Sequence, residues 1–308
     1  MDEPASRGGP SLGGVLAVWG LVLLAAAAVA VTYSRLPPSE FYNVSEGGVD
    51  GGFGRALVYL NFPVALIAIA VVALVADRLD ERKYDAAAVA AVALCLVVSA
   101  PGVVEQSDLD AKAANAVPAL GVLLALLLTL VAVARRGVGA SVGWTTGDWA
   151  RAAVVAVLAL AAIPWVFAEV GFYVSDVPAL GAVFLADEIV PEPGHPDLRA
   201  VHLGHHHGTD GVLFTLTALL LSRELSAMRR PLLRAVLGAY LSLMLVYGLA
   251  NALEDFWLEQ VVKRDATSFK LPGMLRPELA PEWAAIVVAA VCVYALLFRP
   301  TKPRLRTT

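Results

Sequence analysis

The sequence predicts an all-α, polytopic transmembrane bundle of about eight spanning helices, with both termini cytoplasmic and residues 1–308 forming one integral membrane domain. Three observations predict it. Of the 308 residues, 58% are hydrophobic and only 16% are charged, whereas a soluble domain is nearer half apolar and a quarter charged. The apolar residues gather into runs of roughly 20, the length a helix needs to cross a ~30 Å hydrocarbon core. The basic residues segregate to alternate connections, which is how cytoplasmic loops are marked.

Spans fall at about 12–33, 57–76, 86–104, 115–134, 150–174, 202–222, 232–253 and 282–298. The first carries Ala28-Val29-Ala30, which has the look of a cleavage site. Its apolar run is too long for a signal peptide, and Asp2 and Glu3 precede it with Arg7 as the single basic residue. An uncleaved anchor is expected. With the N-terminus inside, 15 of the 23 basic residues lie in inner segments, among them Arg78, Arg82, Lys83, Arg135, Arg136, Arg223, Arg229 and Arg230. Only 8 of the 27 acidic residues lie with them. Trp144 and Trp149 then mark the inner interface, and Trp257 and Trp283 the outer one. The plasma membrane is the expected location. The chain has 18 Arg against 5 Lys, a habit of GC-rich bacterial genomes.

Connections are short apart from three outer ones, at 34–56, 175–201 and 254–281. The first is Gly-rich and reads as irregular. The second holds an apolar stretch, Val177 to Leu185, too short to span and expected as an interfacial helix. The inner run Asp77-Arg78-Leu79-Asp80-Glu81-Arg82-Lys83 reads as a solvated loop. Cys95 and Cys292 each fall inside an apolar run, so buried thiols are expected rather than a disulfide framework. A net charge of −4 gives no sign of a nucleic-acid partner.

The informative stretch is His202-Leu203-Gly204-His205-His206-His207-Gly208-Thr209-Asp210-Gly211. The purely apolar part of its span, Val212 to Leu221, is about half of what a crossing requires. For this segment to cross, the helix must begin near His202 and carry the histidines into the membrane. Asp210 then lies about 12 Å deeper than His202. At 100° per residue, His202, His205, His206, Thr209 and Asp210 share an arc of about 140°. Gly204, Gly208, Gly211, Thr215, Ala218 and Ser222 form a narrow stripe behind it. Small-residue stripes let transmembrane helices approach closely. One face is therefore expected to pack and the other to carry polar chemistry.

His202 and His206 are spaced i, i+4, which points two imidazoles at one ion, and Asp210 continues the row. The metal ligands expected are His202, His205, His206 and Asp210, with His195 in the preceding loop as a further donor. Nitrogen and oxygen donors of this kind suit a divalent metal, Zn²⁺ first, and catalytic zinc keeps an open position for water. Other polar residues fall at the same depth: Glu169 near the outer end of the fifth span, Asn61 in the second, and Asn251, Glu254 and Asp255 closing the seventh. Ionisable groups inside a bilayer are costly and default to function. The plainer readings are interfacial histidines exposed to water, a structural hydrogen bond from Glu169, and interfacial charges at Glu254 and Asp255.

Three function classes follow. The first is a metal-dependent hydrolase of a lipid or lipid-linked substrate, in which a metal-bound water acts with Glu169 or Asp210 as general base. The second is a transporter of metal ions or protons; against it, the inner half of the sixth span, Leu216 to Leu221, reads as apolar with no continuing path. The third is a non-catalytic assembly subunit. The spacing His-x-x-His-His is that of the histidine boxes of membrane fatty-acid desaturases. Those need more histidines, in three boxes that normally face the cytoplasm, whereas the five here all fall between 195 and 207 and are expected to face out.

Overall fold

The computed structural model describes residues 9–35, 52–105, 110–140, 143–169, 185–189, 199–201, 206–262, 266–274 and 279–298. They form eight α-helices: α1 (Gly13–Arg35), α2 (Gly52–Leu79), α3 (Arg82–Leu96), α4 (Ala116–Arg136), α5 (Thr146–Glu169), α6 (His206–Ser222), α7 (Pro231–Trp257) and α8 (Pro281–Val293). A π-helical turn, Tyr294–Phe298, extends α8. Each helix falls on one of the eight predicted spans. Five stretches are long and apolar enough to cross a membrane: Gly13–Val31, Ala56–Leu79, Ala113–Arg136, Pro231–Trp257 and Pro281–Phe298. The chain is therefore a multi-pass membrane protein by the length and composition of its helices. Proline opens both α7 and α8, where its missing N–H costs no helical hydrogen bond. Gly137, at φ +62°, ends α4.

Helix α2 is the hub of the bundle. Along Ala56–Leu79, 67% of the span is buried inside the protein, against 17% for Pro281–Phe298. Ala65, Ile67, Ala68, Ala70, Val71, Leu74 and Val75 of α2 are fully enclosed. Its Ala and Val side chains let α1, α3, α4, α6 and α7 all pack against it. The outward faces stay apolar, as with Leu23 and Leu24 of α1 and Val288 and Val291 of α8. Lipid, not water, suits such faces.

Two departures from the sequence reading concern connections. Leu185, expected to close an interfacial helix, instead begins a strand, β1 (Leu185–Ile189), paired antiparallel with β2 (Arg199–Val201). The remainder of the expected helix, 177–184, lies outside the described residues. The run from Asp77 to Lys83 is also more than a solvated loop. Asp77 is completely buried, and its carboxylate accepts the backbone N–H groups of Arg229 and Arg230, each at 2.9 Å. It thereby caps the start of α7 from across the bundle. Arg229 returns the service, donating to the carbonyls of Asp77 (2.6 Å) and Arg78 (2.9 Å) at the end of α2. Arg78 donates to the Arg136 carbonyl at 2.8 Å, closing α4 in the same way. Free carbonyls at helix C-termini attract cations, and free N–H groups at N-termini attract carboxylates. Sequence separation hid this, since the partners lie about 150 residues apart. At the same end, Glu224 accepts the Ser11 N–H at 2.7 Å.

Candidate functional site at the start of α6

Helices α6 and α7 meet through small residues, as the stripe predicted. A methyl group built on Gly211 would lie 2.7 Å from both the Ala252 nitrogen and the Gly248 carbonyl oxygen. One on Gly248 would lie 2.7 Å from Thr215 Oγ1 and 2.8 Å from the Gly211 carbonyl oxygen. The two backbones touch, and no side chain larger than hydrogen fits at either position. Ala218 and Ser222 continue the buried stripe, while Gly204 lies outside the described residues.

The polar arc is described from Thr209 onward. Asp210 is 8% exposed and Thr209 5%. Neither Asp210 Oδ1 nor Thr209 Oγ1 has a hydrogen-bond partner among the described residues. A carboxylate buried with an oxygen unsatisfied costs several kcal/mol in a low-dielectric setting, so Asp210 is an expensive residue to keep. It stands one turn before Phe214, whose ring meets Phe62 of α2 edge-on at 6.2 Å and Tyr247 of α7 at 5.6 Å. Tyr247 in turn meets Trp283 of α8 at 5.4 Å. The four rings make a row across α2, α6, α7 and α8, about 6 Å beneath Asp210 at 1.5 Å per residue. From Phe62 to Asp77 along α2 is about 23 Å more. Asp210 is therefore almost one hydrocarbon thickness, ~30 Å, from the charged layer at the opposite end.

The other expected ligands divide as follows. His206 is the first described residue of α6, and 202–205, where the helix is expected to begin, lie outside the described residues. His206 and Asp210 are one turn apart on one helical face; the side chain of His206 is outside the described set. His195, His202 and His205 lie outside the described residues altogether. Glu169 is the last residue of α5, and its side chain is likewise not described. Among the described residues, no three His, Cys, Asp or Glu side chains converge to hold a metal ion.

The residues expected at one depth stand at different heights by residue count and have other partners: relative to the ring row, Asn61 lies about 1.5 Å out, Asn251 about 6 Å and Asp255 about 12 Å. The Asn61 amide donates to the Asn115 carbonyl at 2.8 Å, and the Asn115 amide donates to that of Val103 at 2.6 Å. Asn61 thus ties α2 to the start of α4. Asn251 donates to the Tyr247 carbonyl one turn back, at 2.8 Å. Its side chain also pairs with the Tyr247 phenol, which lies close enough to Asp210 to interact electrostatically. Asp255 is buried at 4%, so it is no exposed interfacial charge. A methyl on Gly208 would lie 2.6 Å from its Oδ2. Gly208 and Asp210 are about 200° apart round the helix, so Asp255 and Asp210 occupy opposite flanks of α6. The inner half of α6 is not wholly apolar either, since Thr217 is buried there at 1%.

Two features were missed in the sequence: the aromatic row and the buried Asp77. Spacing within one segment reveals neither. Comparison with family models, curated proteins and solved structures finds no match.

Proposed function

We propose that this multi-pass membrane protein crosses the plasma membrane eight times, with both termini cytoplasmic, and binds a divalent metal ion at the outward end of α6. Asp210 carries the reading: a buried carboxylate with an unsatisfied oxygen, one helical turn from His206, in a bundle that places few charges so deep. His202, His205 and His206 complete the donor set, and imidazole with carboxylate suits zinc above the harder cations. The chemistry that follows is hydrolysis of a lipid or lipid-linked substrate. The metal would polarise a water, with Glu169, or Asp210 itself, as general base. The aromatic row beneath Asp210 supports a site entered from one side only and weighs against the transport alternative.

The test is thermal melting in detergent after chelation, with graded zinc added back. Zinc should raise the melting temperature of the wild type and leave His206→Ala and Asp210→Asn unmoved. An equal rise in all three removes the metal site. For the hydrolase reading, zinc-loaded protein is incubated with a total membrane lipid extract and the products are followed by mass spectrometry. Turnover by the wild type but not by Glu169→Gln is expected, and no turnover by either ends the enzymatic reading.

A further inference from the structure

The opposite end of the bundle carries a second candidate site, independent of the metal. At the start of α3 and the end of α4, three cations surround a single carboxylate. Glu81 takes Lys83 at 2.9 Å, Arg136 at 3.5 Å and Arg135 at 3.9 Å. Lys83 Nζ stands 4.9 Å from the centre of the Tyr84 ring, and the Arg135 guanidinium carbon stands 5.7 Å from it. All three cations are about half exposed, at 59%, 54% and 47% for Lys83, Arg135 and Arg136. Among the described residues these three cations share the single carboxylate of Glu81, which leaves the corner an excess of two positive charges. Two other cations of this end are better matched: Arg229 and Arg230 reach Asp80 at 3.2 Å each, and Arg230 reaches Asp85 at 2.6 Å.

The apolar surface leading away from this corner is the second observation. Val89 and Leu96 of α3 and Leu123, Leu127 and Leu130 of α4 are each about half exposed or more. They lie on helices that leave the cationic corner and run into the hydrocarbon. A soluble phosphate would use only the cations. A phospholipid would use the cations for its headgroup, the Tyr84 ring at the headgroup level and the leucine-lined faces for its chains. We propose that the Lys83–Arg135–Arg136 corner on Tyr84 is a binding site for an anionic phospholipid of the adjacent leaflet.

Native mass spectrometry of the detergent-purified full chain, titrated with phosphatidylglycerol or phosphatidylcholine, tests this. Wild type should retain phosphatidylglycerol in clear preference. The pair Lys83→Gln and Arg135→Gln should lower that preference about tenfold or more, since each juxtamembrane cation contributes to anionic-lipid attraction. Arg136 is left in place because it also bonds the Leu79 carbonyl. Glu81→Gln should act in the opposite direction and strengthen retention, a gain that damage to the fold cannot produce. Equal retention of the two lipids by wild type, or weaker retention in Glu81→Gln, overturns the site. Displacement of the lipid by an equal concentration of inorganic phosphate overturns the assignment to a lipid. None of these variants touches α6, so the outcome is separable from that of the metal test.

Discussion

Asp210 concentrates the tension in this molecule. Eight per cent exposed and, among the described residues, short of a partner for Oδ1, it costs the fold stability. Replacing it with the neutral isostere Asn removes the burial of charge. In chelator, Asp210→Asn should melt higher than wild type by about 2–4 °C, the shift that corresponds to roughly 1 kcal/mol in a chain of this order of size. With saturating zinc the order should reverse. A variant that melts lower in chelator makes Asp210 a structural residue. Glu224, just past the end of α6, gives a pH-dependent case. Burial pushes its carboxyl above the ordinary value of 4.5, while the Ser11 N–H and Arg223 pull it back. An acid raised in the folded state binds its proton more tightly folded than unfolded. Its contribution is therefore most favourable below pH 4.5 and declines as pH rises through the raised folded value. Glu224→Gln should flatten that part of the stability curve in pH-resolved melts; an unchanged curve contradicts the assignment.

At the scale of elements, the α6–α7 pair and the Asp77 clamp hold the frame. Gly211→Ala places a methyl against backbone atoms on α7, which cannot swing aside as a flexible side chain would. Destabilisation of about 1–3 kcal/mol is expected. Gly20→Ala of α1, where a methyl meets nothing within 4 Å, should be neutral or stabilising by up to about 1 kcal/mol. Similar melts for the two variants would show that the glycines are not contact-limited. Asp77→Ala leaves the N–H groups of Arg229 and Arg230 without their acceptor, while the Arg229 side chain keeps its pairing with Asp80. A loss of about 3 kcal/mol is expected, read as a lower denaturation midpoint. The glycine contact was legible because residues at helical spacing reveal a face. The clamp was not, because Asp77 resembles its solvated neighbours in sequence and is distinguished only by what folds over it.

For the whole molecule, the length of apolar runs sufficed to place all eight helices. The expected start of α6 near His202 lies outside the described residues, which end in β2 at Val201 and resume in α6 at His206. Counted outward from the ring row, Asn251 is level with Asp210 at about 6 Å, whereas Asn61 stands at about 1.5 Å and Asp255 at about 12 Å. Which flank each faces depends on how α2 and α7 rotate against α6, and that is settled by the glycine contact and the aromatic row. Phe62, Phe214, Tyr247 and Trp283 come from four helices, so no single segment announces the layer they make. Among the described residues, Asp210 stands at one end of the bundle with the ring row about 6 Å beneath it, and the Asp77 clamp stands at the other end.

The most direct test of this account is the metal content of the protein purified in detergent without chelator, wild type against Asp210→Asn. The account predicts close to one divalent ion per wild-type chain, zinc foremost, and its loss from the variant with the fold intact by circular dichroism. A metal-free wild type, or a variant that keeps its metal, contradicts it.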